Sequence, residues 1–435
     1  MAEIKIHPLT RVEGHGEVVI EVEDGEIKDV KFAILAVRGF EKFIQGRPAE
    51  DVPYIVSRIC GICQTAHHLA ACKAVDGCFG VEPPEGGHKI RWLMHLGNMI
   101  HSHALHFYFL AAPDYVIGPD ADPLQRNVIQ LVKENPELGK LAIELRKFGQ
   151  DIVEATGGKA IHPVSGVPGG VSAPVDEEDR DELLDRAEEM VEKAYEGAKA
   201  GIEAIKETLD EYKEKHDLDL LETLGNIETY HMGLVADGNR HEFYDGEVRV
   251  VDPEGNEFTK FKPEEYLDVI AERSIEYSYV KHPYLKEVGY PDGIYRVGPG
   301  ARLNVCEEMK TDRAQELYEE YVDEFGECVN YSLTINWARL IELVAACEEA
   351  KQLLEDDVIT EEDECKEDYE PQEGEGVGIV EAPRGTLIHH YKTDEEGRIT
   401  EANMIVATTH NVPAIEMALR DAAKKLEDEI VKLAE

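Results

Sequence analysis

The sequence predicts an α+β fold in which a mainly helical core carries small antiparallel β-sheets. Three patterns support this prediction. Residues 16–35 alternate apolar and polar side chains around an Asp-Gly turn, as a β-hairpin does. Residues 376–411 alternate in a similar way and predict a second hairpin. Between them, residues 87–114 place apolar side chains at helical spacing over a length that indicates one long, buried helix.

The remaining stretches complete this prediction. Helical spacing also predicts helices over residues 124–156, 176–215, 311–354 and 413–433, whereas residues 240–262 alternate and predict further strands. Residues 355–375 are acidic and poor in apolar side chains, which favours a solvated loop. We therefore predict a single unit over residues 1–435, with four successive regions: an N-terminal β-hairpin region (1–49), a helical core (50–215), a β-rich insertion (216–310) and helices with a hairpin (311–435).

Charge and composition exclude several classes of function. The chain has 45 Lys and Arg against 91 Asp and Glu, a formal net charge of -46, so its surface repels the phosphate backbone of nucleic acids. No segment approaches the roughly 20 apolar residues that cross a membrane, and the N-terminus lacks the layout of a signal peptide. Eight cysteines in 435 residues do not make a disulfide scaffold. We expect a cytoplasmic protein with reduced thiols and no membrane partner.

The stretch RICGICQTAHH, residues 58–68, carries half of a possible metal site. Cys60 and Cys63 form a C-x-x-C pair, which taken alone has three explanations: a thioredoxin-like redox pair, half of a structural zinc site, or chance. A redox pair normally opens a helix after a strand in a βαβ context, which is not evident here. A zinc site needs two more ligands. The pair alone therefore does not decide between these explanations.

The surrounding residues make the motif far more specific. The pattern R-x-C-G-x-C-x-x-x-H is preceded by TRVEGHGEV and RGFEKFIQGR, and it is followed by HSHALHFYFLAAPD, GGKAIHP, EAPRGTLIHHY and IVATTHN. Together, from about residue 8 to about residue 425, these segments resemble the large subunit of nickel–iron hydrogenases. RGFEKFIQGRP and HHLAACKAVDGCFG are most similar to the cytoplasmic, viologen-reducing methanogen group, which does not reduce deazaflavin but feeds electrons to heterodisulfide reductase.

The resemblance implies roles for the residues of the first motif. Cys60 would be a terminal thiolate ligand of nickel, and Cys63 would bridge nickel to an iron that carries carbon monoxide and cyanide. Soft thiolates select and tune such metals. His67 would donate a hydrogen bond to the bridging sulfur. The implied reaction is the heterolytic oxidation of dihydrogen to protons and electrons.

Four further residues match family positions around that centre. Glu13 would relay protons from a terminal thiolate, although by itself it fits a capping carboxylate as well. Arg384 would lie over the diatomic ligands of the iron, with Asp114 as its orienting partner, whereas a lone arginine is usually a surface or salt-bridge residue. Thr408 would offer its hydroxyl to the second cyanide. These roles are implied by the resemblance alone.

The resemblance also implies a separate site for a hard cation, magnesium or iron. Its ligands would be Glu41 and the backbone carbonyl of Met404, since oxygen donors suit such a cation.

The remaining cysteines and several histidines receive simpler interpretations. We expect ordinary thiols at Cys72, Cys78, Cys306, Cys328, Cys347 and Cys365. His101, His103 and His106 share one predicted helix, and we expect them to pack near an iron–sulfur cluster of a partner rather than to bind a metal. His389 and His390 are strand residues to which the sequence assigns no role.

The second half of the expected metal site is missing from the sequence. The family closes its site with D-P-C-x-x-C-x-x-H, and no C-x-x-C follows Cys63 in these 435 residues. Two explanations stay open: a truncated sequence, or a split subunit whose second ligand pair lies on a separate short peptide with a selenocysteine-x-x-cysteine motif. We expect the split subunit. Because the chain has no ferredoxin-like cysteine run and no nucleotide loop, electrons would leave through a partner. The resemblance implies that this partner is an iron–sulfur small subunit, followed by an electron-transfer subunit and heterodisulfide reductase.

Two other classes of protein compete with a catalytic subunit. The quinone-site subunit of respiratory complex I resembles this fold but has lost the metal cysteines. Retention of Cys60 and Cys63 argues against that class, and loss of the second pair argues for it. A zinc-stabilised structural protein would need a second ligand pair, and none is apparent.

Overall fold

The arrangement of the chain is taken from a computed structural model, which describes residues 2–9, 12–36, 38–427 and 430. The helices are α1 (Phe40–Phe43), α2 (Val52–Val56), α3 (Gln64–Phe79), α4 (Glu85–Ala104), α5 (Ala112–Val116), α6 (Val128–Glu134), α7 (Pro136–Gly157), α8 (Glu177–His216), α9 (Leu220–Thr223), α10 (Tyr266–Val269), α11 (Pro299–Val305), α12 (Asp312–Phe325), α13 (Ile335–Leu354) and α14 (Ala407–Lys425). The strands are β1 (Ala2–Ile6), β2 (Gly16–Glu23), β3 (Glu26–Ile34), β4 (Gly166–Val167), β5 (Gly170–Val171), β6 (Tyr230–Ala236), β7 (Arg240–His241), β8 (Glu247–Val251), β9 (Glu257–Phe261), β10 (Ile270–Arg273), β11 (His282–Leu285), β12 (Tyr295–Arg296), β13 (Gly374–Ala382), β14 (Gly385–Thr393) and β15 (Ile399–Ile405).

The largest core lies among helices α4, α7, α8 and α13, which pack against one another. Helix α8 shows why such a charged segment is helical. Asp176 caps its first turn by accepting the N–H of Glu178, and basic residues fill its last turn, where they complement the helix dipole. Its apolar face is buried in this core. The predicted mainly helical core is confirmed.

The predicted long helix over residues 87–114 is real but interrupted. Helix α4 passes into a π-helical segment, Leu105–Ala111, and then into α5. A π-helical segment widens the helix locally, often near a functional site. The apolar spacing alone does not reveal this interruption, because apolar residues continue through it and Phe107, Tyr108 and Ala111 stay buried.

Each predicted hairpin forms part of a three-stranded antiparallel sheet. Strand β1 adds to the β2–β3 hairpin, and β15 adds to the β13–β14 hairpin. The predicted β-rich insertion contains a larger sheet of order β12-β6-β8-β9, with β7 also paired to β6. Strands β10–β11 and β4–β5 form two small two-stranded sheets.

Strand β13 packs directly on helix α3, which follows the cysteine motif. At Gly374, Gly376 and Gly378, which alternate along one face of the strand, an added Cβ would lie 2.0–2.1 Å from a carbonyl oxygen of α3. No larger residue fits at that distance, so the backbones of helix and strand meet directly. This contact fixes the N-terminal end of α3 relative to the turn that follows β13.

Two boundary predictions need correction. The acidic stretch 355–375 is not wholly solvated, because Ile359 and Cys365 are buried within it. Helix α14 begins at Ala407 rather than at 413 and contains Pro413. Its predicted end at 433 lies outside the described residues. Within the part of the chain that is described, no helix combines the length and the apolar character needed to pass through a membrane.

Candidate active site

Cys60 and Cys63 flank a tight turn immediately before α3. The Cys60 sulfur accepts the backbone N–H groups of Ile62 at 3.4 Å and of Cys63 at 3.3 Å. The pKa of Cys60 falls to about 7. The main cause is the hydrogen bond from the Cys63 thiol to the Cys60 sulfur, and the two backbone N–H groups also favour the thiolate, whereas burial opposes it. Cys60 is therefore substantially ionised near neutral pH, which is the state that binds a metal.

Cys63 behaves in the opposite way. Its hydrogen bond to Cys60 and its burial raise its pKa well above the ordinary value, and the positive charge of Arg384 opposes that rise. The pair thus shares one proton, and a soft metal bound by both sulfurs would release it. The positive charge of Arg384 therefore favours the thiolate form of Cys63.

Glu13 lies beside Cys60, as the resemblance implies. The Cys60 thiol donates to Oε2 of Glu13 over 3.7 Å, within hydrogen-bonding range for sulfur. The Glu13 side chain is exposed. A carboxylate in this position connects the buried side of the cysteine turn with the protein surface.

Arg384 lies in the turn between β13 and β14, and its backbone is held tightly. Its Nη1 donates to Oγ of Ser102 at 3.1 Å, and its carbonyl oxygen accepts from Nδ2 of Asn411 at 3.2 Å. Gly298 packs against the same carbonyl with φ at +98°, and an added Cβ there would lie 2.8 Å from that oxygen. A side chain at position 298 would therefore displace the Arg384 turn.

Arg384 and Asp114 each have another described partner. Asp114 accepts from Nη1 of Arg126 at 3.4 Å, and Arg384 donates to Ser102. The role of Asp114 as the orienting partner of Arg384 stays a prediction. Thr408 lies exposed in the first turn of α14. Its role toward cyanide stays a prediction.

A buried ion network lies beneath the Arg384 turn. Arg302 of α11 donates to both carboxylate oxygens of Glu342 at 2.6 Å and to Glu381 at 2.8 Å. His103 and His241 contact Glu342 at 2.9 and 3.1 Å. Although burial raises the pKa of Glu342, the charge and hydrogen bonds of Arg302 hold that pKa well below its ordinary value. The ionised network joins α11 and α13 to strand β13, which ends at the Arg384 turn.

Replacing Glu342 by glutamine should destabilise the chain strongly. Glu342→Gln leaves the fully buried charge of Arg302 with one carboxylate instead of two, and losing one partner of a buried pair costs about 3–5 kcal/mol. Urea titration of the purified variant measures the loss. The control is Glu257→Gln, which removes a carboxylate that is 45% exposed in its ion pair with Arg249 and should cost less than about 1 kcal/mol. Equal, small losses in both variants would contradict this assignment.

The network also corrects the expectation for one of the clustered histidines. His103 is fully buried on Glu342 and cannot contact a partner's cluster. Its neighbour His101 is only 5% exposed, and its Nδ1 accepts from Arg146 at 3.4 Å. A position of His101 and His106 near a partner's cluster remains a prediction.

Glu41 and Met404 lie in contact with each other, but Arg38 donates hydrogen bonds to both of these predicted cation ligands. Oε1 of Glu41 accepts the Met404 N–H at 2.9 Å, and Nε of Arg38 donates to Oε2 of Glu41 at 2.7 Å. Nη2 of Arg38 also donates to the Met404 carbonyl at 3.5 Å. A guanidinium already occupies the oxygen atoms expected to bind magnesium. This arrangement does not fit a divalent cation, and we derive no step from one.

His67 is buried one turn after Cys63. Its Nδ1 lies 3.1 Å from Nε2 of His389, and its Nε2 has no hydrogen-bond partner among the described residues. Burial lowers the pKa of His67 to about 3, so the ring is neutral. All eight cysteines are free thiols, and five of the six assigned ordinary roles are buried, Cys328 being partly exposed.

Several residues of the site escaped sequence analysis. Ser102, Asn411, Arg302 and Glu342 carry no local pattern that marks them, since each acts through a contact distant in sequence. The local pattern that could have pointed to these residues is the segment EAPRGTLIHHY, because it contains the turn that they contact.

Comparison with known proteins decides the family. The sequence profile described as "Nickel-dependent hydrogenase" matches residues 38–128 and 212–426, more than half of the chain, and a profile described as "HoxL-like" matches residues 3–37. The chain belongs to the nickel-dependent hydrogenase family. The matched segments of this hydrogenase include Cys60, Cys63, Glu41 and Arg384. The zinc-stabilised and complex I-like alternatives therefore lose their support.

Individual relatives agree with this assignment. This hydrogenase chain is 59% identical to the A subunit of the F420-non-reducing hydrogenase vhu of Methanocaldococcus jannaschii, over 98% of this chain and 99% of the relative. It is 47% identical to the A subunit of the F420-non-reducing hydrogenase of Methanothermobacter thermautotrophicus, over 100% of this chain and 92% of the relative. The crystal structure of an NAD+-reducing NiFe-hydrogenase in the H2-reduced state superimposes with a TM-score of 0.92 at 40% identity, covering 98% of this chain and 93% of that one. The predicted α+β hydrogenase fold is confirmed.

Proposed function

We propose that this hydrogenase large subunit is cytoplasmic, that it oxidises dihydrogen to protons and electrons, and that Cys60 and Cys63 hold its nickel–iron centre. One observation carries the proposal. A Cys60 sulfur whose pKa is about 7 lies 3.7 Å from the Glu13 carboxylate, so a soft metal ligand and a proton acceptor are adjacent. Hydrogen oxidation needs both at one place.

The residues present fit one half of such a centre. Two sulfurs supply soft ligands, and Arg384 brings positive charge toward Cys63, where an iron with anionic cyanide ligands would gain from it. Among the described residues, no three His, Cys, Asp or Glu side chains gather into a complete metal cage. We propose that the remaining ligands come from outside the described residues.

When bound, the nickel–iron centre supplies the heterolytic splitting of dihydrogen. The chain's own residues handle the proton that results. Glu13 accepts it at Oε2 from the Cys60 sulfur and, because its side chain is exposed, can release it at the surface. Ser102 and Asn411 hold Arg384 in place, so its guanidinium is already oriented before the reaction begins.

We propose that electrons leave through an iron–sulfur small subunit and an electron-transfer subunit toward heterodisulfide reductase. Both methanogen relatives are named as one lettered subunit of a hydrogenase, which supports the presence of further subunits. The sequence of this chain has no cysteine run of the ferredoxin type that could carry the electrons itself.

We also propose that a separate short peptide supplies the second ligand pair. The 59% identical relative is matched over 99% of its own length, whereas the 47% identical relative is matched over only 92%. This difference in length supports a group of large subunits in which the segment that carries the second ligand pair lies on another polypeptide. The peptide would carry two cysteines, or a selenocysteine and a cysteine.

The test is native mass spectrometry of the complex purified under reducing conditions, combined with nickel and iron analysis. We expect the active complex to contain an additional short peptide with such a ligand pair. The 435-residue chain by itself should bind nickel weakly and show no turnover, because affinity for a soft metal comes from the full ligand set. Tight nickel and iron binding with hydrogen oxidation in the absence of any such peptide would refute the split subunit.

A further inference from the structure

Two adjacent histidines of β14 lie on opposite faces of the strand and make matching contacts. On one face, Nδ1 of His390 contacts the Tyr266 hydroxyl at 2.9 Å, and its Nε2 contacts Glu375 at 2.8 Å. On the other face, Nδ1 of His389 contacts the Tyr391 hydroxyl, and its Nε2 contacts His67. Only the contacts of His389 reach helix α3, which follows the cysteine motif.

The single proton of the Tyr391 hydroxyl has two possible acceptors. One is Nδ1 of His389, in close contact, and the other is the Met404 sulfur at 3.9 Å. A thioether is a weak acceptor, and this distance is at the limit of a hydrogen bond to sulfur. Tyr391 is fully buried and keeps its proton, so the hydroxyl donates to His389.

This donation fixes the protons of both imidazoles. His67 and His389 are fully buried, and their described side-chain partners are neutral groups rather than carboxylates, so burial favours neutral rings that carry one N–H each. If Nδ1 of His389 accepts from Tyr391, its proton lies on Nε2 and is donated to Nδ1 of His67. The proton of His67 must then lie on Nε2. That nitrogen is buried and has no hydrogen-bond partner among the described residues.

His67 lies one helical turn after Cys63. The carbonyl oxygen of Cys63 accepts the backbone N–H of His67 at 3.3 Å. Side chains four residues apart in a helix lie on the same face. The Cys63 sulfur and the buried donor of His67 therefore share one face at the start of α3.

We propose that Tyr391 and His389 are positioning residues that fix His67 as a hydrogen-bond donor, through Nε2, to the sulfur of Cys63. We name the series Tyr391–His389–His67 the tautomer chain. The inference rests on the proposed function, since it concerns Cys63 as a metal-bridging thiolate. It assigns a role to His389, which the sequence left without one. A hydrogen bond to a thiolate withdraws electron density from the sulfur and hence from the metals it bridges.

The test compares infrared spectra of the complete enzyme complex with single variants on the two faces of β14. Tyr391→Phe removes the donor that sets the tautomer chain, and Tyr266→Phe removes the equivalent contact of His390 as a matched control. Without the donor, the Cys63 sulfur donates more electron density to iron. The carbon monoxide band should move to lower wavenumber in Tyr391→Phe and stay in place in Tyr266→Phe.

A second substitution covers the case in which Tyr391→Phe does not assemble. Incorporating 3-fluorotyrosine at position 391 keeps the hydroxyl and makes it a stronger donor, so the band should move to higher wavenumber. Unchanged bands in the Tyr391 enzymes, or equal shifts in Tyr266→Phe, would overturn the tautomer chain. Absence of any carbon monoxide or cyanide band in the unmodified complex would instead overturn the proposed function.

Discussion

Hydrogen uptake should be lost entirely when either cysteine of the motif is replaced by alanine. Cys60→Ala removes the sulfur whose pKa falls to about 7, and Cys63→Ala removes the sulfur proposed to bridge both metals. We expect Cys63→Ala to lose iron as well as nickel. Metal analysis and hydrogen-dependent viologen reduction by the purified complex measure both effects.

Cys72→Ala is the control for these substitutions. Cys72 lies on the same helix but is fully buried, and burial raises the pKa of its thiol to about 12. It should therefore remain a neutral side chain of the core, and its replacement should leave the metals and the activity in place. If Cys60→Ala or Cys63→Ala retained nickel, iron and activity, these cysteines could not form the metal site.

Glu13→Gln should separate metal binding from proton transfer. The amide keeps the size of the side chain, but it cannot accept the proton of the Cys60 thiol as a carboxylate does. We expect normal nickel and iron content with a loss of deuterium–proton exchange of about 100-fold or more, the usual order for removing a general base. Isotope exchange followed by mass spectrometry measures this loss.

Glu17→Gln provides the comparison for Glu13. Glu17 lies four residues further along the chain, on β2, and no role in the site is assigned to it. Its replacement makes the same change in net charge. Exchange at the normal rate in Glu13→Gln, or an equal loss in both variants, would return Glu13 to the role of an ordinary surface carboxylate.

The sequence could reveal the parts of the site that depend on short segments. Cys60, Cys63 and His67 lie in one motif, and Glu13 and Arg384 each lie in a segment typical of the family. The N-terminal and C-terminal sheets were predicted from alternation, although each gained a strand that no turn signal marked. Local patterns therefore predicted the main helices and sheets, whereas the roles of the metal-binding residues came from the family resemblance and stay predictions.

Contacts between distant segments could not be predicted in the same way. The hydrogen bond of Arg302 to Glu342 joins two helices. Arg38 donates to the oxygens of Glu41 and Met404 because three segments meet there. Each outcome depends on which charged group lies nearest after folding, and a single sequence does not contain that information.

The direct contact between strand β13 and helix α3 makes the site sensitive to substitutions outside it. Glycines at alternate positions let the two backbones meet, between the cysteine turn before α3 and the Arg384 turn after β13. A side chain at any of these glycines would push the strand away from the helix and move the two turns relative to each other. A substitution that touches no residue of the site can therefore still separate its two halves.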